Sequence, residues 1–337
     1  MNLSIVIPCY NCKETIGRLL DSILDNELNK EEYEVIIVDD KSTDGFLGVV
    51  EQYKHLMRIV VTETTRNVHC PGNTRQAGLP LIQGEWFCFA DNDDMFEPNA
   101  FKTVLDYLAQ HPDTYTVATN FREWKNNSYI REYKGQETDT WLHGKFFNTQ
   151  HTLREFGCHF EEDLISHEDV YFNTCNLVHL ISKKLDYVYL PVFTYKWVYE
   201  EKSISRSFYL RDSFYIEQFM RDYIHSASYP LFSVMNESED RDVQLWCLDQ
   251  IVMTFLHCYF YIQKSIWKNG GADKTDTSLL ALKQFKRKIR DEIGLEENGL
   301  INYVYQNPKR YDEIKKQCYL AEPFIETQSF RDFVINL

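Results

Sequence analysis

A short acidic stretch follows an apolar run near residue 90. The letters "FCFADNDDMF" cover residues 87–96, where Asp91, Asp93 and Asp94 crowd together behind residues typical of a buried strand. Carboxylates at this spacing repel one another, so a partner must offset the repulsion. In an extended segment, residues two apart point the same way. Carboxylate oxygens are the ligands that Mg²⁺ and Mn²⁺ prefer. We therefore predict that Asp91 and Asp93 bind a divalent metal, with a solvated turn as the alternative.

Several other phosphate- and metal-binding patterns do not fit this sequence. An EF-hand starting at Asp91 would have Phe96 at its glycine position and Lys102 at its final glutamate position. The segment "PCYNCKETIG" after the first predicted strand has neither the glycine fingerprint of dinucleotide-binding proteins nor the lysine of a P-loop. These absences argue against a dehydrogenase or a P-loop NTPase.

A second acidic pair, Glu168 and Asp169, lies in "LISHEDVYF". The pair opens a predicted helix, where the helix dipole stabilises carboxylates, and this alone is a sufficient structural explanation. The functional interpretation is a general base that points toward the edge of the sheet.

Strand and helix patterns alternate through the first third of the chain. Strands are predicted at 3–7, 34–38, 58–62, 86–90 and 115–120, with helices between them, and this order predicts an α/β fold with a mostly parallel, covered sheet. Ligands bind at the carboxyl ends of such strands, where Asp39, Asp40 and Asp91 fall.

Later segments differ from this alternation. "WKNNSYIREY" predicts a hairpin, a helix is predicted from His167, strands follow at 185–190 and 192–197, and only amphipathic helices follow residue 205.

Composition and charge limit the classes of partner. The chain has 337 residues and a formal net charge of -15, which argues against a broad electrostatic grip on nucleic acid or anionic lipid. We find no apolar stretch of about 18 residues and no signal-peptide pattern, so we expect a cytoplasmic protein without a spanning helix. Peripheral membrane contact through the helical tail is an alternative. Nine scattered cysteines argue against a disulfide framework.

Five segments, taken in order, resemble the family 2 glycosyltransferases with the GT-A fold. They are "SIVIPCYNCKETIGRLLDSIL", "YEVIIVDDKSTDG", "NTRQAGLPLIQGEWFCFADNDD", "HEDVYF" and "FTYKWVYEEKSISRS". The resemblance covers residues 1–206, predicted to be the catalytic domain. Residues 207–337 are predicted to be a helical region for acceptor binding or oligomerisation.

The resemblance implies an inverting transfer of a sugar from a nucleotide donor, with a UDP-sugar expected, to an acceptor hydroxyl in polysaccharide biosynthesis. Mn²⁺ or Mg²⁺ is the implied cofactor, and the acceptor is a glycan, a lipid-linked saccharide or a protein. Asp169 matches the catalytic base with Glu168 beside it, and Asp93 and Asp91 match the metal ligands. The implied donor-binding positions are Pro8, Tyr10, Glu14, Asp39, Asp40, Arg75, Asp91 and Asn92.

Several positions depart from the family pattern: Lys41 and His167 stand where glycine is common, Gln76 stands where asparagine is common, and "HCPG" at 69–72 replaces a loop usually rich in glycine and serine. On the acceptor side, Trp197 offers a ring that stacks on a sugar, and His143 is predicted to assist; core packing is the alternative for both. A nucleotidyltransferase and a non-catalytic binding protein are the rival functions. Self-association is also left open.

Overall fold

A computed structural model describes residues 1–67, 70–126, 128–162, 164–199, 213–268, 276–321, 325–326 and 328–337. The chain divides into two compact units, Met1–Arg206 and Ser207–Leu337. The end of "FTYKWVYEEKSISRS" and most of the segment between residues 268 and 276 lie outside the described residues. The roles predicted for the two regions stay predictions.

One sheet forms the centre of the first unit. Within the described residues its strands are β1 (Leu3–Cys9), β2 (Tyr33–Asp39), β3 (Ile59–Glu63), β4 (Trp86–Phe89), β5 (Met95–Phe96), β6 (Thr114–Lys125), β7 (Ser128–Tyr133), β8 (Lys145–Asn148) and β9 (Asp186–Val198). The strands lie in the order β3-β2-β1-β4-β8-β6-β9-β5, and β7 pairs with the outer part of β6.

Parallel pairs form most of the ladder of this sheet, and antiparallel pairs join them. β1 pairs in parallel with β2 and β4, β2 with β3, and β6 with β9. β8 enters antiparallel between β4 and β6, and the pairs β5–β9 and β6–β7 are also antiparallel. The α/β class is confirmed, and the predicted hairpin is the β6–β7 pair. The sequence reasoning missed β8 because four residues are too few to show a two-residue period.

Helices cover both faces of this sheet. They are α1 (Ile16–Leu24), α2 (Leu47–Val50), α3 (Pro71–Gly78), α4 (Ala100–Gln110) and α5 (Glu168–Lys183). Alternate residues of β1 belong to two hydrophobic cores on opposite faces of the sheet. Ile5 and Ile7 pack on the side of α1 and α4, whereas Val6 packs on the side of α3 and α5. A Cβ on Gly78 would lie 2.8 Å from Cγ1 of Val6 and 2.9 Å from Cγ2 of Val38. Helix α3 therefore sits directly on the sheet.

Two predicted boundaries are wrong. The strands expected at 185–190 and 192–197 form one strand, β9, and Pro191 lies at an irregularity of its pairing with β6. Pro191 has no N–H to donate, so it is tolerated there. The strand expected at 115–120 is longer, because β6 runs from Thr114 to Lys125 and its outer part pairs with β7.

The second unit is helical in all the elements described for it, as predicted. They are α6 (Ser213–Glu237), α7 (Arg241–Lys268), α8 (Asp276–Ile293), α9 (Glu297–Gln306), α10 (Pro308–Ala321) and α11 (Phe330–Asn336). The predicted apolar face of α7 is buried at Ile251, Val252, Phe255 and Tyr259.

Helix α7 contradicts the expectation that no segment could span a membrane by length and composition. Among the searched residues, the helical segment Arg241–Ile266 contains an 18-residue window with a mean hydropathy of 1.3, and 61% of that window is buried. Core helices of globular units meet the same criteria, so this is weak evidence for a span.

Candidate active site

The loops after β1 and β2 hold the residues predicted to contact a nucleotide base. Asp39 is buried, and its Oδ1 accepts a hydrogen bond from the backbone N–H of Ser42 at 2.9 Å. The hydroxyl of Thr64 donates to Oδ1 of Asp40 at 2.7 Å. Ser42 Oγ also accepts from the N–H of Asn11 at 2.9 Å, which joins the two loops. Asp39 is thereby fixed beside the end of β1.

The other predicted donor-side residues divide into exposed and structural positions. Tyr10 and Glu14 are exposed, whereas Pro8 is buried. The side-chain amide of Asn92 donates to the carbonyl of Pro8 at 2.9 Å, and its Oδ1 accepts from the hydroxyl of Thr15 at 3.2 Å. Asn92 therefore fixes the acidic loop to the end of β1.

The two residues that stand where the family commonly has glycine, Lys41 and His167, have glycine-like backbones. Lys41 has a φ of 63° and His167 a φ of 58°, both in the left-handed region that glycine adopts readily. Lys41 also forms an ion pair of 2.8 Å with Glu63, and His167 is the residue before helix α5. The backbone geometry expected for glycine is thus kept although the side chains differ.

Arg75 bridges the two acidic motifs. Its Nη1 donates to Oε1 of Glu168 at 2.9 Å, and its Nη2 donates to Oδ1 of Asp91. The residue is 5% exposed. Burial alone would raise the pKa of Asp91, but the charges of Arg75 and His143 outweigh it and hold that pKa well below its usual value. Among the described residues, Arg75 is therefore the main partner that offsets the repulsion between Asp91 and its neighbouring carboxylates.

Asp94 has a structural position below this bridge. It is buried, and its two oxygens accept hydrogen bonds from the hydroxyl of Tyr195 and the N–H of Val198, both at 2.7 Å. The hydroxyl of Tyr195 also accepts from the N–H of Asp91 at 3.0 Å. Burial, with the charges of Asp93 and Asp91, raises the pKa of Asp94 well above its usual value. Asp94 therefore connects the acidic loop to β9.

His143, predicted on the acceptor side, lies against the acidic loop. Its Nε2 is 3.4 Å from Oδ2 of Asp91 and 3.7 Å from Oδ2 of Asp94. Its ring stacks on Tyr195 with centroids 4.7 Å apart. Because β8 runs antiparallel to β4, the residues before β8 come to the end of β4, where the acidic loop begins.

Asp91, Asp94 and His143 form a group that fits a cation, since one ligand atom from each lies within 4.8 Å of the others. Nδ1 of His143 is buried without a hydrogen-bond partner among the described residues. Asp93, the predicted ligand, is outside this group, and its backbone carbonyl accepts from Arg18 Nη2. The ligand role of Asp93 stays a prediction. Asp94 could have been found from the sequence as the third carboxylate of the acidic stretch. No sequence spacing indicated that His143 would join this cation site.

Asp169 has the properties of a base that works near neutral pH. It is half-buried at the start of α5, and its Oδ1 accepts from the N–H of Val170 at 2.8 Å. Burial, followed by the charge of Glu168, raises the pKa of Asp169 to about 7. Burial lowers the pKa of the neighbouring His167 to about 3, which leaves that imidazole neutral. A carboxylate with this pKa suits proton abstraction.

Sequence reasoning missed a buried lysine under the site. Lys145 is 1% exposed, and its Nζ donates to the backbone carbonyls of Thr138 and Trp141. Burial lowers its pKa to about 7, against the opposing charges of Asp139 and Asp169. Lys145 thus fixes the turn that carries His143. No sequence pattern marks a lysine as buried.

Comparison with known proteins adds the family and the fold. Residues 4–162 match the family model described as "Glycosyl transferase family 2". A poly(ribitol-phosphate) beta-glucosyltransferase of Bacillus spizizenii is 44% identical over 118 residues, which are 35% of this chain and 19% of that relative. The matched segment therefore spans about a fifth of the relative's length.

Solved structures match the fold over most of the chain. The structure of S. aureus TarS 1–349 has a TM-score of 0.66 at 18% identity and covers 96% of this chain and 93% of that one. Its complex with UDP-GlcNAc has a TM-score of 0.58 at 19% identity, covering 86% of this chain and 92% of that one. The mannosyltransferase PcManGT from Pyrobaculum calidifontis, with GDP-Man and Mn²⁺, has a TM-score of 0.53 at 14% identity and covers 94% and 84%. At these identities the matches show the fold alone, and the predicted GT-A fold is confirmed.

Proposed function

Because this chain carries a glycosyl transferase family 2 domain over residues 4–162, we propose that it transfers a sugar from a nucleoside diphosphate donor to a hydroxyl of a cell-surface polymer. The related Bacillus protein is named for transfer to poly(ribitol phosphate), and TarS was crystallised with UDP-GlcNAc. These names support a UDP-sugar donor and a teichoic acid-type or other polysaccharide acceptor. The cytoplasmic location, peripheral membrane contact and self-association expected from the sequence stay predictions.

The observation that carries this proposal is the Arg75 bridge. One buried guanidinium contacts both Asp91, in the acidic stretch predicted to bind the metal, and Glu168, which precedes the predicted base Asp169. The donor-side and acceptor-side carboxylates are therefore one side chain apart, as a direct displacement at the sugar requires. Holding two reactants in this way supplies up to about 7–11 kcal/mol in the best oriented systems.

The residues of the site suit an inverting displacement. Asp39 accepts the N3–H of a uracil base, and Arg75 lies where a diphosphate would approach the acidic loop. Asp169 takes the proton of the acceptor hydroxyl as that oxygen attacks the anomeric carbon from the face opposite the leaving diphosphate. The sugar–phosphate bond breaks as the new bond forms, so the anomeric configuration of the product is inverted.

A divalent cation is part of the proposal. Asp91, His143 and the carboxylate of Asp93 on the same loop are the residues that would hold it, and Nε2 of His143 faces Oδ2 of Asp91 at 3.4 Å. When bound, Mn²⁺ or Mg²⁺ supplies positive charge that stabilises the leaving diphosphate. Asp94 is less suited, because Tyr195 and Val198 already donate to its two oxygens.

The test is sugar transfer by the purified chain. UDP-glucose, UDP-GlcNAc and GDP-mannose are supplied with poly(ribitol phosphate), and nucleotide release and the anomeric configuration of the product are measured. We expect an inverted product with a UDP-sugar, about 10²-fold slower transfer in Asp169→Asn, and a milder loss in Glu168→Gln. A retained anomer or normal turnover in Asp169→Asn would contradict the mechanism.

The two rival functions give different results in the same assay. A nucleotidyltransferase would release pyrophosphate from a nucleoside triphosphate and a sugar phosphate. A non-catalytic binding protein would bind a nucleotide without turnover of any donor. The acidic residues of both motifs are present, which favours transfer over binding alone.

A further inference from the structure

An aromatic row runs from His143 toward the β6–β7 hairpin. The row consists of Tyr133, Trp141 and Trp197. The ring centroids of His143 and Trp197 are 5.9 Å apart, those of Trp141 and Trp197 are 5.0 Å apart, and those of Trp197 and Tyr133 are 6.1 Å apart. Trp141 and Trp197 are partly exposed, so their rings offer apolar surface beside the site.

The outer end of the aromatic row carries a cation. The guanidinium carbon of Arg131 lies 4.4 Å from the centroid of Tyr133, and Arg131 is exposed. On β6, Nζ of Lys125 lies 3.7 Å from the ring of Tyr199. A ring attracts a cation without cancelling its formal charge, whereas a carboxylate cancels it. Glu123 lies opposite Arg131 in the β6–β7 pairing but is buried, whereas Arg131 is exposed, so an anion can approach the guanidinium from solvent.

The hairpin region has an excess of basic residues, whereas the whole chain is acidic. The chain has a net charge of -15, while residues 122–134 contain four basic and two acidic residues. The site itself holds the carboxylates of Asp91, Asp94, Glu168 and Asp169, which repel a polyanion. A polyanionic acceptor would therefore need cations beside the site, and the hairpin supplies them.

We infer that the aromatic row and Arg131 form the binding surface for an acceptor polymer of polyol units joined by phosphodiesters. The polyol units lie along Trp141 and Trp197, a phosphodiester contacts Arg131, and the hydroxyl that is glycosylated lies near Asp169. This inference rests on the proposed function and specifies the acceptor surface of the same site. Charge complementarity favours this anionic acceptor over a neutral glycan, because a neutral glycan would gain nothing from Arg131.

The experiment compares Arg131→Glu with the matched variant Arg154→Glu in the full chain. Arg154 is an exposed arginine of the same unit, outside the aromatic row. Poly(ribitol phosphate) is the probe, its binding is measured by affinity electrophoresis, and transfer from a UDP-sugar gives KM for the polymer. We expect about a tenfold or larger loss of polymer affinity, and a matching rise in KM, in Arg131→Glu alone. The affinity for UDP should stay the same in both variants, and Arg131→Lys should restore part of the polymer affinity.

The outcomes separate this inference from the proposed function. If the native chain transfers sugar and Arg131→Glu keeps its KM for the polymer, the inference is wrong and the function stands. If no UDP-sugar is turned over yet Arg131-dependent polymer binding is found, the surface is supported and the proposed function fails. Arg131-dependent binding to phosphatidylglycerol vesicles, without binding to the polymer, would identify a lipid surface and overturn the inference.

Discussion

Replacing Arg75 by methionine removes the guanidinium that contacts both Asp91 and Glu168. The side chain is nearly buried, so both carboxylates lose a charged partner that water replaces only in part. Removing one partner of a buried ion pair costs about 3–5 kcal/mol. Asp91 is 33% exposed and its share is screened, so we expect about 3 kcal/mol, the lower end of that range. For a unit of this size, that lowers Tm by roughly 6–12 °C.

The pH dependence of this loss is a sharper test than its size. Arg75 holds the pKa of Asp91 below its usual value of 3.8, so the bridge contributes stability above that pH and loses it as the pH falls further. The difference in Tm between native protein and Arg75→Met should therefore stay nearly constant from about pH 7.5 to about pH 4.5 and narrow only as the pH falls below 3.8. Arg154→Met is the matched control and should change Tm little. Arg75→Lys should fall between them. Thermal unfolding followed by circular dichroism measures all four proteins. A Tm of Arg75→Met within about 2 °C of the native value at neutral pH would refute the reasoning, as would a loss that does not change with pH.

Three further predictions concern the base, the metal and the packing of α3. Transfer at saturating donor should rise with pH through about 7 and then level off, because Asp169 acts when deprotonated; a pH–rate profile checks this, and Asp169→Asn should remove the inflection. Asp93→Ala should weaken UDP binding in Mn²⁺ while leaving Tm nearly unchanged, as measured by calorimetry; equal affinity of the native chain in EDTA and in Mn²⁺ would count against a metal site. Gly78→Ala should destabilise the fold by about 1–3 kcal/mol, because its Cβ would lie 2.8 Å from Val6, whereas Gly48→Ala meets nothing within 4 Å and serves as the control in urea unfolding.

The alternating part of the fold could be predicted because each element shows its own period. Strands β1 and β2 lie within two residues of their predicted bounds, since each is a short apolar run that is buried along its whole length. Strand β8 has only four residues, and its antiparallel entry between β4 and β6 depends on tertiary pairing. Local sequence patterns therefore could not predict the antiparallel pairs of the sheet.

The sequence could predict the site residues that lie at the carboxyl ends of predicted parallel strands. It could not predict the residues that reach the site from other segments. Asp39 ends β2 and Asp91 follows β4, the two strands that flank β1 in parallel, so topology alone places them at one edge. His143 and Lys145 reach the site through β8, and Arg75 reaches both acidic motifs through the packing of α3 and α5. The predicted roles of Asp169, Asp93 and Trp197 stay predictions until variants are measured.

The antiparallel position of β8 beside β4 determines where residues can be inserted into this domain. Phe87 on β4 pairs with Phe147 on β8, and this register alone sets Asp91 beside His143. The residues between those two strands include the β6–β7 hairpin, which contributes no backbone bond to that pairing. Residues can therefore be inserted at the tip of the hairpin, between Lys125 and Ser128, without changing the register of β4 and β8. If Arg131 and the aromatic row bind the acceptor as proposed, acceptor preference can change at this tip while that register is kept.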